Sequence, residues 1–317
     1  VTRFLLRKIS LLLAGWFCAS IIIFFTLRLL PGDVAQVIAG TQATPATVAR
    51  LRSELGLNEP LWAQYVEWIL GFVQGDLGTS LVSKTPVAAQ LFEKSHVTVP
   101  LLLLSVVFTV VLAVPLGVLL GFGAGKRLPD VLTSVCYSAA AAPAVWVALL
   151  MIAVFAHWLG WFPAVGFPTA GWRDPLTALG SLLLPALTIA VIDAAVLLRF
   201  VRSATISALA AEPVRTGMSF GYTRLQAVRR FGLPAASLSL LGTVTVQVAG
   251  LIIGAVLVEK IFALPGIGSL LVTAVGNRDL TMVASLLLAI TGFVLLLGFL
   301  LDVVQALVDP RLREGGA

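Results

Sequence analysis

The chain reads as long apolar stretches separated by short polar ones, with two longer polar segments between them. Six stretches are apolar over about the 20 residues that a membrane-spanning helix requires. They run from about Ile9 to Leu30, Val97 to Phe122, Val131 to Leu159, Leu179 to Val201, Ser237 to Val258 and Met282 to Ala306. None alternates strictly between apolar and polar positions, which argues against an outer-membrane barrel. The pattern predicts an all-α polytopic membrane protein with six transmembrane helices. The first stretch follows Arg3, Arg7 and Lys8, as a signal peptide would. It is longer than the 7–15 apolar residues usual in a signal peptide, so an uncleaved helix is expected. Pro143 predicts a kink in the third stretch.

The first polar segment, Pro31 to His96, follows the first span. Thr44 and Pro45 form a helix start, an N-cap followed by proline at the first position, and Gly56 sits where a terminating glycine belongs. A second helix is expected from about Glu59 to Val73, with Trp62, Tyr65, Val66, Ile69 and Val73 on one face. Two readings stand for this segment: a cap packed on the spans, or a docking surface for an external partner. The second polar segment, about Arg202 to Ala236, continues the fourth span through Ile206, Leu209 and Ala210. Gly221 marks a turn in it, and Pro234 precedes the fifth span.

Composition agrees: 59% of residues are hydrophobic, 11% are charged, and the mean hydropathy is +1.04. A soluble domain carries about 25% charged residues, so a secreted module, a nucleic-acid binder and a disordered chain are excluded. The net charge of +6 matters less than where it falls. With the N-terminus inside, the inner segments hold Arg3, Arg7, Lys8, Lys126, Arg127, Arg199, Arg202, Arg215, Arg224, Arg229, Arg230, Arg311 and Arg313. The short outer loops hold only Arg173, Lys260 and Arg278. Both termini are therefore expected in the cytoplasm. Cys18 and Cys136 lie within apolar runs and His96 and His157 are far apart, so neither a disulfide framework nor a metal site is expected.

Gly121-Phe122-Gly123-Ala124-Gly125-Lys126-Arg127 has the look of a phosphate loop but not its spacing, and Arg127 stands where Ser or Thr is needed. If ATP drives transport here, another chain must hydrolyse it. No catalytic motif is present. Asp193 and Asp302 lie within apolar runs, where a carboxylate needs a reason. Asp193 fits either a pathway or proton-relay role, or pairing within the bundle or with Arg199. Asp302 fits a structural contact. Gly242, Gly250 and Gly254 would allow a close helix approach in the fifth span.

The sharpest pattern is Glu212-Pro213-Val214-Arg215-Thr216-Gly217-Met218-Ser219-Phe220-Gly221, then nine residues, then Phe231-Gly232-Leu233-Pro234. It resembles the EAA loop of permease subunits in binding-protein-dependent ABC importers. The spacing from Gly221 to Leu233-Pro234 fits without a gap; Phe231 stands for the usual Ile, Gly217 for a small Ala, and Pro213 is unusual. Further stretches resemble the dipeptide/oligopeptide branch: Arg28 to Asp33, Leu55 to Leu61, Gly75-Asp76-Leu77-Gly78-Thr79-Ser80, Glu259 to Gly268, and Asp309-Pro310-Arg311.

The resemblance implies a type I importer permease fold with six spans, both termini cytoplasmic and a cytoplasmic EAA coupling loop. Residues 1–30 would hold the first span, 31–96 an extracytoplasmic helical cap, and 97–317 the core of five spans with the loop at 202–236. It implies a multi-pass protein of a prokaryotic cytoplasmic membrane that translocates di- or oligopeptides and is not itself an enzyme. Implied partners are a second homologous permease forming a heterodimer, one or two ABC ATPases, an extracytoplasmic substrate-binding protein and the lipid bilayer, with no nucleic acid. No cofactor is expected in this chain; ATP and Mg belong to the ATPases. Glu212, Arg215, Thr216, Gly221, Leu233 and Pro234 would couple to the ATPase. Two alternatives stay open: the same fold carrying nickel chelates, glutathione or another small solute, and an ATPase-independent carrier using Asp193.

Overall fold

The computed structural model describes residues 2–29, 35–36, 43–54, 57–232, 247 and 250–308. Among them the structure is helical and holds no β-strand beyond the isolated Thr79–Pro86 pairing. In chain order the helices are α1 (Thr2–Leu29), α2 (Pro45–Glu54), α3 (Leu61–Val73), α4 (Val87–Phe122), α5 (Arg127–Ala140), α6 (Ala144–Met151), α7 (Pro175–Ala210), α8 (Glu212–Ser219), α9 (Arg224–Ala227), α10 (residues 250–261), α11 (Ile267–Gly276) and α12 (Leu280–Val308). Among the described residues, α1, α4, α7 and α12 are long and apolar enough to cross a membrane. The fifth predicted span is described only at 247 and from 250 onward; Gly56, Gly242, Leu233 and Pro234 lie outside the described residues.

The third predicted span is interrupted rather than kinked. Helix α5 ends at Ala140 and α6 begins after Pro143, which is extended (φ −57°, ψ 130°). Proline cannot donate to the preceding turn, and it drives the residue before it out of the helical region. Beyond Met151 the helix widens over Ile152–Trp158, where the Leu159 amide reaches back to the Val154 carbonyl at 2.9 Å.

The chain forms two compact units. The first comprises residues 1–5, 97–265 and 297–317. Its core gathers Leu101, Leu182, Leu184, Ile189, Val258 and Phe262. Helix α7 starts where Asp174 accepts from the Thr177 amide (3.4 Å) and hydroxyl (2.6 Å), with Pro175 in the first turn. The Thr177 hydroxyl holds the Asp174 carboxyl below its ordinary pKa. The helix runs on to Ala210, as the apolar positions Ile206 and Leu209 predict.

Helices α4 and α7 approach closely at two glycines. A methyl group at Gly117 would lie 2.7 Å from the Val201 side chain, and one at Gly121 would lie 2.7 Å from Thr205. Small residues one turn apart permit such contact. Within the described residues, Gly250 and Gly254 have nothing within 4 Å of an added methyl, so the close approach falls on α4. Gly121, part of the phosphate-loop look-alike, is therefore a packing glycine, and the residues after it turn α4 into α5. Gly121→Leu is expected to destabilise the protein by about 2 kcal/mol through overpacking, seen as a lower apparent Tm in detergent, whereas Gly125→Asn at a left-handed position (φ +84°) with open space should be milder.

The second unit comprises residues 6–96 and 266–296. Thr44 caps α2 through its hydroxyl and the Thr47 amide (3.3 Å), as predicted. Helix α3 packs on α1 through Tyr65, Trp68 and Phe72, which meet Ser20, Phe24 and Trp16. Of the predicted face, Tyr65 packs on α1 and Ile69 is half-buried, while Trp62, Val66 and Val73 are exposed. The return from α3 to α4 is tightly bonded. Gly75 (φ +86°) and Gly78 (φ +77°) take left-handed conformations, Asp76 accepts from the Gly78 amide (2.8 Å), and Thr79 pairs with Pro86. The Ser80 hydroxyl donates to buried Asp279 at 2.5 Å.

Candidate functional site

Helix α7 passes into a compact two-helix hairpin of the first unit, and every described residue proposed for coupling lies in it. Ala211 breaks the helix with an extended backbone (φ −69°, ψ 141°), and Pro213 sits in the first turn of α8, where its missing N–H costs nothing. Helix α8 ends at a glycine turn. The Tyr222 amide bonds to the Gly217 carbonyl (3.3 Å) and the Gly221 amide to the Met218 carbonyl (3.0 Å). Gly221 has φ +87°. This paired arrangement satisfies the last carbonyls and favours glycine at the left-handed position. Thr223 then caps α9: its hydroxyl accepts from the Gln226 amide (3.4 Å) while the Gln226 side chain accepts from the Thr223 amide (3.0 Å).

The inner face of the hairpin is apolar. Val214, Ala227 and Val228 are buried, with Phe122, Leu209, Tyr222 and Phe231 packed around them. Gly217 fits under the Phe231 ring, where an added methyl would lie 2.9 Å from it, and Gly232 fits against Ala208 and Val214. The glycine at the position where the family usually has alanine thus makes room for the phenylalanine that stands for isoleucine.

The outer face is free of such packing. Glu212, Arg215, Thr216 and Gly221 are exposed, and the Glu212–Arg215 pair is wide at 4.0 Å. Sequence reasoning passed over three neighbours: Met218, Phe220 and Leu225 are exposed large apolar side chains on the same hairpin, Phe220 at 79%. No sequence signal marked them, because the positions that pair the two helices are seen only in the packed structure. At the base of α7, Arg202 forms a 2.8 Å ion pair with Asp130 in the first turn of α5, tying those helices together next to the hairpin.

The intramembrane carboxylates lie apart from the hairpin. The Asp193 backbone carbonyl accepts from the Gln247 amide group at 2.6 Å. Among the described residues no ion pair joins Asp193 to Arg199, whose guanidinium lies 5.1 Å from the centre of the Phe200 ring. Asp302 is half-buried on α12. Among the described residues of the first unit the most deeply enclosed acid is instead Glu259, which accepts from the Thr98 hydroxyl at 2.6 Å. No group of His, Cys, Asp and Glu suited to a metal ion exists among the described residues.

Helices long and apolar enough to cross a membrane, together with a folded hairpin whose outer face is exposed, define a multi-pass membrane protein. The chain belongs to the binding-protein-dependent transport system inner membrane component family, whose profile matches residues 113–314; the N-terminal profile of the same membrane components matches residues 1–113. It is 32% identical over 314 residues to a putative peptide transport system permease protein of Brucella abortus, covering 99% of each chain. It is 32% identical over 310 residues to a probable peptide ABC transporter permease protein of Sinorhizobium fredii (98% of this chain, 99% of the relative). A glutathione transport system permease protein of Escherichia coli is also 32% identical, over 312 residues (98% and 99%). The chain is an ABC importer permease.

Proposed function

We propose that the protein carries short peptides inward across a cytoplasmic membrane as a six-span subunit with both termini inside, and that a separate ATPase drives it through the α8–α9 hairpin. The observation that carries this reading is the hairpin: it is rigidly packed on its inner face, follows α7 directly, and leaves Glu212, Arg215, Thr216, Met218 and Phe220 outward. A rigid element at the end of a long helix suits the transmission of a partner's closure. The peptide cargo rests on the names of full-length relatives. Glutathione is a second cargo supported by a relative's name, and chemically it is itself a modified tripeptide.

In this reading a second permease completes the pathway, one or two ATPases hold ATP and Mg, and an external binding protein delivers substrate. Leu233 and Pro234 follow the hairpin in sequence and stay assigned to coupling. Purification of the tagged chain in gentle detergent should bring down an ATPase and a second permease. A homogeneous chain that transports in liposomes without any ATPase would overturn the proposal and return attention to Asp193. Phe220→Asp should leave expression and stability unchanged, because the side chain is exposed, yet reduce ATPase co-purification about tenfold or more if Phe220 anchors the contact.

A further inference from the structure

Helix α3 belongs to the segment that reads as an outer cap, but its contacts set it alongside α1. Gln64 shares a cleft with Arg28, in the last turn of α1. The Trp68 ring lies 5.7 Å from that of Phe24, the Tyr65 hydroxyl 2.8 Å from the Ser20 hydroxyl, and the Phe72 ring 5.5 Å from Trp16. The two helices therefore run antiparallel, and α3 ends level with Trp16. Trp16 stands at the midpoint of the apolar span Arg3–Leu29. A second ruler agrees: a methyl on Gly292, mid-way along the apolar helix α12, would lie 3.1 Å from the Trp16 indole nitrogen.

A helix crossing the hydrocarbon layer uses about 20 residues, so the middle of α1 lies at membrane depth. Helix α3 accordingly descends from the Arg28 end of α1 to its midpoint. The flank turned away from α1 is apolar as well: Trp62, Val66, Leu70 and Val73 recur at helical spacing and are exposed, Trp62 and Val73 at 69% each. Beside it α1 exposes Phe25, whose ring lies 6.3 Å from that of Tyr65. The ionisable side chain on α3, Glu67, lies about a quarter turn off this stripe and only about 4.5 Å below Gln64, within reach of the headgroup layer.

We propose that α3 is a half-helix embedded in one leaflet, with the Trp62–Val66–Leu70–Val73 stripe in contact with lipid acyl chains. Backbone at membrane depth must be satisfied within the protein, and several groups of the return from α3 are. The Gly75 amide bonds to Phe72, the Asp76 amide to Gly71 and the Val87 amide to Gly78, while the Ser285 hydroxyl donates to the Leu77 carbonyl at 2.8 Å. The proposal rests on membrane location alone and is independent of cargo and of the ATPase.

The test is a depth measurement on the assembled transporter in phospholipid nanodiscs. Cys18 and Cys136 are replaced by serine, and nitroxide labels are placed singly by Trp62→Cys, Val66→Cys, Leu70→Cys and Val73→Cys, with Ala49→Cys on exposed α2 as the water reference. Collision with oxygen and with a water-soluble nickel chelate is read at each site. Oxygen accessibility should rise and nickel accessibility fall from residue 62 to residue 73, about 16 Å apart along the helix axis. Nickel accessibility at all four sites like that at Ala49 would show a water-exposed cap and overturn the proposal. Low accessibility to both agents at Val66, Leu70 and Val73 would also overturn it, by showing a protein partner on the stripe.

Discussion

Gly221→Pro should abolish most uptake while leaving the chain in the membrane at normal abundance. Gly221 holds φ +87° and its amide donates to the Met218 carbonyl. Proline fixes φ near −65° and has no amide hydrogen, so it meets neither requirement and costs about 3 kcal/mol or more. That cost falls on the hairpin alone, because the turn is exposed and the spans do not depend on it. A penalty of about 3 kcal/mol lowers the fraction of correctly folded hairpin by up to about 100-fold when the hairpin is marginally stable, at about 1.4 kcal/mol per tenfold. Added side chains at Gly221 meet nothing within 4 Å, so conformational strain is the whole effect for other substitutions. The order of uptake should be Gly221→Asn above Gly221→Ala above Gly221→Pro, since asparagine tolerates the left-handed region best. Uptake, membrane abundance and ATPase co-purification are measured together; full uptake by Gly221→Pro would exclude the hairpin as the transmitting element.

The largest expected loss of stability is at Asp279→Ala. Asp279 is buried, its carboxylate accepts from the Ser80 hydroxyl (2.5 Å) and the Val82 amide (3.4 Å), and it caps α12 through the Met282 amide (3.2 Å). Removing it strands buried donors and a helix cap together, a loss of about 3 kcal/mol. Thermal unfolding in detergent should show a lower apparent Tm, and limited proteolysis should open the 76–86 return. Asp279→Asn keeps the cap and should recover part of the loss. An unchanged Tm for Asp279→Ala would mean that solvent reaches these donors.

What could be read in advance followed local rules. Thr44-Pro45 opens α2 and Gly221 closes α8, because a cap is decided by a few consecutive residues; the Asp174-Pro175 start of α7 was passed over. Pro143 was visible too, but how completely it parts α5 from α6 depends on the extended residue that precedes α6. The face of α3 was only partly placed because the helix is apolar almost all round: of the predicted Trp62, Tyr65, Val66, Ile69 and Val73, Tyr65 packs on α1, where Trp68 and Phe72 join it. The partners least legible were the distant ones. Ser80 meets Asp279, Thr98 meets Glu259, and Gly117 and Gly121 accept Val201 and Thr205. Within the candidate site, Glu212 to Gly221 were found through the family pattern, while Met218, Phe220 and Leu225 became visible only once the packed face of the hairpin was known.

That packed face separates two kinds of information in one short stretch of chain. Val214, Gly217, Ala227, Val228 and Phe231 specify the hairpin, and Met218, Phe220 and Leu225 take no part in that cluster. The outward positions can therefore change in evolution without unfolding the element that displays them. On the proposed coupling to an ATPase, in a cell with several importers such residues would drift in step with one cognate motor and keep it from powering its neighbours. Exchange of only those outward side chains between paralogues is the smallest edit that would rewire which motor drives which gate.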